Sequence, residues 1–302
     1  MLPRLDKLVT IACLGAPACG GTIDDGGALD ASADGTLGGD AGVSASCALG
    51  SGVELADASP SAFVQFFGDS NGYSGFFAQF VPPVGAWPVC GTVVGPCTLV
   101  TDASCPPTPY TPLLNAGTVT IRGEAFGVAN VEQEDGGYDP ETYVFEILGP
   151  DGGTMPIFEP GDPLCVSASG DAYPAFPNLP IVAPAAAMLL QPILDAGADG
   201  SSPIAATSDL ALAWTGGVAG EILGFYITAR PTDGGLLLPA ASCEFDAVAG
   251  RGTIPQSVMA AFVGQRVIVV WSISRTVTYA FGANAVQLSA NAYFGGDFVQ
   301  VE

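Results

Sequence analysis

Not one of the 302 residues is histidine. Without an imidazole the chain cannot run Ser-His-Asp or Cys-His catalysis, nor build a metal site on imidazole ligands. Lysine is nearly missing too: Lys7 stands with Arg4 at the extreme N-terminus, and no lysine follows it. Against 7 basic residues there are 30 acidic ones. Such a surface repels phosphate backbones and anionic lipid, which excludes nucleic acid as a partner. Charge of either sign is scarce, at 12% of residues, so the long surface helices that draw on Lys, Glu and Arg are not expected. After residue 20, Gly, Pro or an acid breaks every apolar run before the roughly 18 residues that a spanning helix needs. The body of the protein is therefore expected to be soluble.

What is there begins with an export signal. Arg4 and Lys7 precede the apolar run from Leu8 to Ala16, and Ala16-Pro17-Ala18 supplies small residues before Cys19. Those are the parts of a secretory signal over residues 1–18. Two readings remain open: plain cleavage at Ala-x-Ala, or lipoprotein processing that leaves Cys19 acylated and anchors the chain to a membrane. The site is similar to a bacterial lipobox, with Ala16 and Pro17 departing from it; Cys13 would truncate the apolar run. Cysteine parity favours the acylated form. Of eight cysteines, loss of Cys13 leaves seven, and keeping Cys19 for lipid leaves six that can pair in an oxidising compartment. Residues 19–46 are Gly, Ala, Asp and Ser with almost nothing large to bury, a disordered tether. The 27 residues from Gly20 to Ser46 would span about 30 Å as a Gly-rich coil.

From Cys47 on, short apolar strands alternate with turn residues. Leu210, Leu212 and Trp214, then Leu223, Phe225, Ile227 and Ala229, carry the period-two alternation of half-buried strands, and Gly216-Gly217 and Gly220 between them predict a hairpin over 210–230. A second hairpin is predicted from 61–67 and 74–81, with Phe63, Phe66, Phe67, Phe76, Phe77 and Phe80 in the core. Val119 and Ile121 mark a strand, as do 143–148 and 164–168. Four prolines between Pro174 and Pro184 mark an edge. Residues 185–190 fit either a helical turn or a buried strand. Pro255, with Val258, Met259 and Phe262 at helical spacing, predicts one short helix with Pro255 at its first position. Separate short strands are expected at 267–274, 277–280, 285–290 and 298–301. The fold class is then all-β, an antiparallel immunoglobulin-like sandwich. The Pro-rich stretch 106–112 sets the domain boundary: a Cys-rich β subdomain over 47–115, and a sandwich over 116–302 that can divide into two packed halves near 180–205.

Cys47, Cys90, Cys97, Cys105, Cys165 and Cys243 are disulfide candidates. The gaps of six and seven residues between Cys90, Cys97 and Cys105 do not fit zinc knuckles. Six cysteines allow fifteen connectivities; the pairing taken forward is Cys47 with Cys90, Cys97 with Cys105, and Cys165 with Cys243.

Chemistry is harder to find. There is no Gly-x-Ser-x-Gly elbow, P-loop or dinucleotide fingerprint. The run Asp195 to Gly200 outlines a calcium loop, but Gly197 and Ala206 stand at ligand positions. Glu132, Glu134, Asp135, Asp139 and Glu141 put several carboxylates on one loop, read as a solvated loop in preference to a cation site. No catalytic, cofactor-binding or metal-binding residue is assigned. Carboxylate-pair chemistry on polysaccharide survives the lack of histidine, without a spacing that selects a pair.

The stretch from Trp214-Thr-Gly-Gly217 through Cys243-Glu-Phe-Asp-Ala-Val-Ala-Gly250 to Gly252-Thr-Ile-Pro255, with Ala116-Gly-Thr-Val-Thr-Ile121 and the tail ending in Val301, resembles uncharacterised bacterial surface lipoproteins with immunoglobulin-like sandwiches. The resemblance implies a fold and a place at the cell envelope, and brings no activity. Function is expected to be non-catalytic: adhesion, binding of a glycan or protein ligand, or envelope structure. The alternative is a secreted carbohydrate-binding module or carboxylate-dependent polysaccharide-acting enzyme. An exposed row of Trp87, Tyr226, Tyr279 and Tyr293 would favour sugar binding.

Overall fold

In the computed structural model, apolar side chains at every second position fix which face of each strand turns inward. The structure describes residues 47–55, 60–69, 74–82, 91–101, 113–133, 143–146, 156–192, 203–229 and 238–302. In chain order the strands are β1 (Glu54–Leu55), β2 (Ala62–Asp69), β3 (Ser74–Phe80), β4 (Thr92–Val94), β5 (Cys97–Val100) and β6 (Val119–Gly123). They continue with β7 (Gly127–Val131), β8 (Tyr143–Glu146), β9 (Pro163–Ala168), β10 (Phe176–Val182), β11 (Ala187–Gln191) and β12 (Leu210–Gly216). The last are β13 (Glu221–Ala229), β14 (Ala240–Asp246), β15 (Arg251–Ile254), β16 (Arg266–Phe281) and β17 (Asn284–Gln300), with the α-helix α1 (Gln256–Met259) and short 3-10 turns at Ala247–Ala249 and Ala260–Phe262 before β16.

One ten-stranded sheet runs through the molecule in the order β4-β5-β14-β13-β16-β17-β2-β3-β8, with β1 joined to β16. Two smaller sheets, β10-β9-β6-β7 and β11-β12-β15, complete two sandwiches on it. The first core holds Phe66, Phe76, Phe80, Ile121, Leu164, Tyr173 and Leu179; the second holds Leu212, Trp214, Phe225, Ile254, Phe262 and Val269. The β16-β17 hairpin belongs to both. Tyr279, Val286 and Leu288 lie in the first core, and Val267, Val269 and Val299 in the second. The all-β sandwich expected from the sequence is thus the fold, with the 16 residues from Arg266 to Phe281 spent on a strand that crosses from one core to the other.

Several expectations are corrected. The 210–230 stretch supplies two strands with the faces predicted, but β12 and β13 do not pair. β12 lies between β11 and β15, whereas β13 lies between β14 and β16. Gly216, Gly217 and Gly220, all at positive φ, turn the chain from one layer of the sandwich to the other. Burial drives this arrangement, because the apolar faces of the two strands then meet across the core instead of lying side by side. The four short strands expected after 266 merge into β16 and β17, whose pairing runs on through Arg275 and Thr276 and absorbs a register shift at Val270 and Trp271. Among the described residues β17 pairs with β2 in parallel, and an isolated parallel bridge joins Ile204 to Val301. Residues 185–190 form neither a helix nor a buried strand but β11, an edge strand with Met188 and Leu190 exposed. Pro255 is the residue before α1, one place earlier than expected. The hairpin of β2 and β3 stands as read, yet only Phe66, Phe76 and Phe80 point into the core. Phe63, Phe67 and Phe77 fall on the alternate face and are half-buried.

Residues 47–115 contribute to both sandwiches. β4 and β5 extend the sheet beyond β14, while β2 and β3 sit between β17 and β8. The chain passes from the four-stranded to the three-stranded sheet between Val182 and Ala187. The disulfides follow this layout. Cys47 bonds Cys165, and Cys97 bonds Cys243, so none of the three pairings taken forward from the sequence holds. Cys97 and Cys243 are register partners on neighbouring strands, and Cys165 lies in the first core's β9. Cys19, Cys90 and Cys105 lie outside the described residues.

Candidate functional site

At one end of the four-stranded sheet, three chain segments meet around an open pocket of about 460 Å³, lined by Asn115, Gly117, Thr118, Glu132, Gln133, Ser169, Gly170 and Asp171. The segments are the entry to β6, the exit of β7 and the turn after β9. Gly117 and Gly170 both have positive φ, at 70° and 85°. A Cβ on Gly117 would stand 2.7 Å from the Gly170 carbonyl oxygen, so the two turns approach each other only because side chains are missing there. Ladder bonds continue into the turns: Ser169 N–H donates to Thr118 O at 3.0 Å, and Gly170 N–H to Ala116 O at 2.9 Å.

Beneath the pocket is Tyr143 of β8, fully buried. Its hydroxyl lies 2.9 Å from both Asn115 Oδ1 and Gly117 O, which share its single hydrogen, and accepts from Ala116 N–H at 2.8 Å. Gly117 N–H adds a bond of 2.7 Å to the same Asn115 Oδ1. The Asn115 side chain is therefore held in place by the fold itself. Thr118 Oγ1 donates to Glu132 Oε1 at 2.8 Å, and Thr118 N–H donates to Ser169 Oγ at 2.9 Å. Burial pushes the Tyr143 phenol above its ordinary range; the bond from Ala116 opposes this, and the negative charges of Glu132 and Asp171 add to it.

Of the acidic loop singled out in the sequence, Glu132 reaches this pocket; Glu134, Asp135, Asp139 and Glu141 lie outside the described residues, as do Asp195 to Gly200. Among the described residues no three acidic or cysteine side chains gather where they could hold a metal ion. Sequence reading missed Asn115, Ser169 and Asp171. Their local signal is a polar residue within two positions of a turn glycine, which is common throughout this chain. The aromatic row is not a platform: Tyr279 and Tyr293 are buried, Tyr226 is largely so, and Trp87 lies outside the described residues.

A second, apolar cleft of about 160 Å³ opens where the sandwiches meet, between Phe158, Pro184, Ala292 and Phe294. Phe294 stacks on Trp271 with ring centres 4.4 Å apart. No helix among the described residues is long and apolar enough to cross a membrane.

No family model matches the chain, and no curated protein does. Among solved structures it is similar to the fibronectin(III)-like modules of Clostridium thermocellum CbhA, at 11% identity over 82% of this chain and 94% of that one, with a TM-score of 0.16. It is also similar to the chicken CNTN1 FN1-FN3 domains, at 12% identity over 83% of this chain and 66% of that one, with a TM-score of 0.14. Overlap at that level carries nothing about activity.

Proposed function

We propose that this chain is an exported, non-catalytic binding module, held at the cell envelope by an acyl group on Cys19 and presenting the pocket around Asn115 and Asp171 to a ligand. The observation that carries the reading is the pair of disulfides. They link residues 118 and 146 positions apart, and such bonds form and persist in oxidising compartments. An export signal and a small-residue stretch before Cys19 agree with that environment. The Gly-, Ala-, Asp- and Ser-rich composition of residues 19–46 suits a spacer between an anchor and a folded body. The absence of histidine from the whole sequence supports binding in preference to catalysis.

Anchoring is tested by metabolic labelling of the full chain with a palmitate analogue, with and without globomycin, beside Cys19→Ala. The wild type is expected to take label and accumulate its precursor under globomycin, and the variant to do neither. A wild type that takes no label and processes normally removes the anchor and leaves a secreted protein. Catalysis is tested by incubating the purified chain with soluble polysaccharides; release of new reducing ends would overturn the non-catalytic reading.

A further inference from the structure

We infer that the ligand of the pocket at the end of the four-stranded sheet is an uncharged saccharide. This inference rests on the binding-module reading and names its ligand. It comes from counting which hydrogen-bonding groups the wall has left to offer. Asn115 Oδ1 accepts from Gly117 N–H and faces the Tyr143 hydroxyl, so the oxygen is turned into the fold and the amide presents its two Nδ2 donors. Ser169 Oγ has accepted from Thr118 N–H and keeps its own hydrogen to donate. Glu132 has one oxygen taken by Thr118 and a second that accepts. The exposed Asp171 carboxylate brings two further acceptor atoms, and the Gln133 amide brings both kinds.

Donors and acceptors are therefore interleaved on one wall. A sugar hydroxyl both donates and accepts, and a ring carrying several of them matches such a wall group by group. A hard cation does not, because it needs oxygen atoms converging on one point, and here N–H and O–H donors share the surface. An anionic ligand is disfavoured too: two carboxylates line the pocket, and no arginine or lysine does. The volume of about 460 Å³ lies within the range of small-molecule sites, roughly 300–1,000 Å³. Tyr143 acts as a positioning residue, since it orients Asn115 from below and is itself fully buried.

The test is calorimetric titration of the full disulfide-bonded chain with soluble cello-, xylo- and manno-oligosaccharides, with oligogalacturonate, and with calcium chloride alone. At least one neutral series should bind, with oligogalacturonate weaker. Asp171→Asn and Glu132→Gln should each weaken the neutral ligand by about tenfold or more, as expected for loss of a charged acceptor. Both side chains are exposed, so unchanged thermal melting should accompany the loss. Failure of all three neutral series at millimolar concentration overturns the inference, as does binding of calcium or oligogalacturonate in their place. Neutral saccharide binding that both variants leave intact also overturns it, while the binding-module reading survives at another surface. Loss of palmitate labelling strikes only the anchor.

Discussion

Glu221 and Arg275 form an ion pair at 3.0 Å in which the carboxylate is completely buried and the guanidinium is about one quarter exposed. Glu221 does more than neutralise a charge. Its Oε1 also accepts from Ala185 N–H at 2.9 Å, and its Oε2 from Val218 N–H at 2.8 Å. Ala185 lies on the segment that crosses from the first sandwich to the second, and Val218 on the turn that changes layers. One side chain thus pins both crossings to the shared sheet. Removing it as Glu221→Ala leaves a partly buried cation and two backbone donors unmatched, and is expected to cost about 3–5 kcal/mol. Glu221→Gln should cost less, since it keeps an acceptor. Urea unfolding of the two variants checks the order.

The disulfides give a prediction about connectivity as well as stability. Peptide mapping of the non-reduced protein should recover Cys47 linked to Cys165 and Cys97 linked to Cys243. Changing both Cys97 and Cys243 to Ser should destabilise the folded state by about 2–5 kcal/mol, measured as a lower denaturant midpoint. A map showing Cys97 joined to Cys105 would contradict the sheet order, because Cys97 and Cys243 face each other across β5 and β14.

Alkaline pH should loosen the first core. Tyr173 is buried, and that burial pushes its phenol up to about 12, against a weaker opposing effect of its hydrogen bond with Ser61. Tyr143 and Tyr279 are raised for the same first reason. For each, the folded state holds its proton at a pH where the unfolded chain has lost it, so the stabilisation is complete below the ordinary value of 10.0 and falls as pH rises above it; for Tyr173 the window reaches up to about 12. The urea midpoint should be flat up to that ordinary value and then decline, and absorbance near the phenolate band should show part of the tyrosine titrating late. Tyr173→Phe should remove part of the decline and cost about 1 kcal/mol at neutral pH, the worth of its hydrogen bond.

The layer-changing turn can be tested by comparing two of its glycines. Gly216 has φ of 86° and Gly220 has φ of 84°, so alanine is strained at either position by about 1–2 kcal/mol. A Cβ at Gly220 meets nothing within 4 Å, whereas one at Gly216 would press on Ala187 Cα at 2.8 Å. Gly216→Ala should therefore be the more destabilising of the two by a clear margin in the same unfolding experiment.

The sequence by itself determined what local chemistry can determine. Alternation in Leu210–Trp214 and Leu223–Ala229 showed which side chains would be buried, because a strand's two faces repeat every second residue wherever the strand ends up. The lack of charged residues ruled against long helices, and the Pro-rich stretch near Pro177 and Pro180 marked the edge strand β10, where a missing N–H does no harm. Only the tertiary structure decided which strand lies beside which. Partners far apart in the chain, such as β17 with β2 or Cys47 with Cys165, are chosen by how apolar faces close over two cores, and no short window of sequence carries that choice. The pocket is a product of the same decision. Asn115, Glu132 and Asp171 are ordinary turn residues until three strands bring their ends together over the Tyr143 hydroxyl.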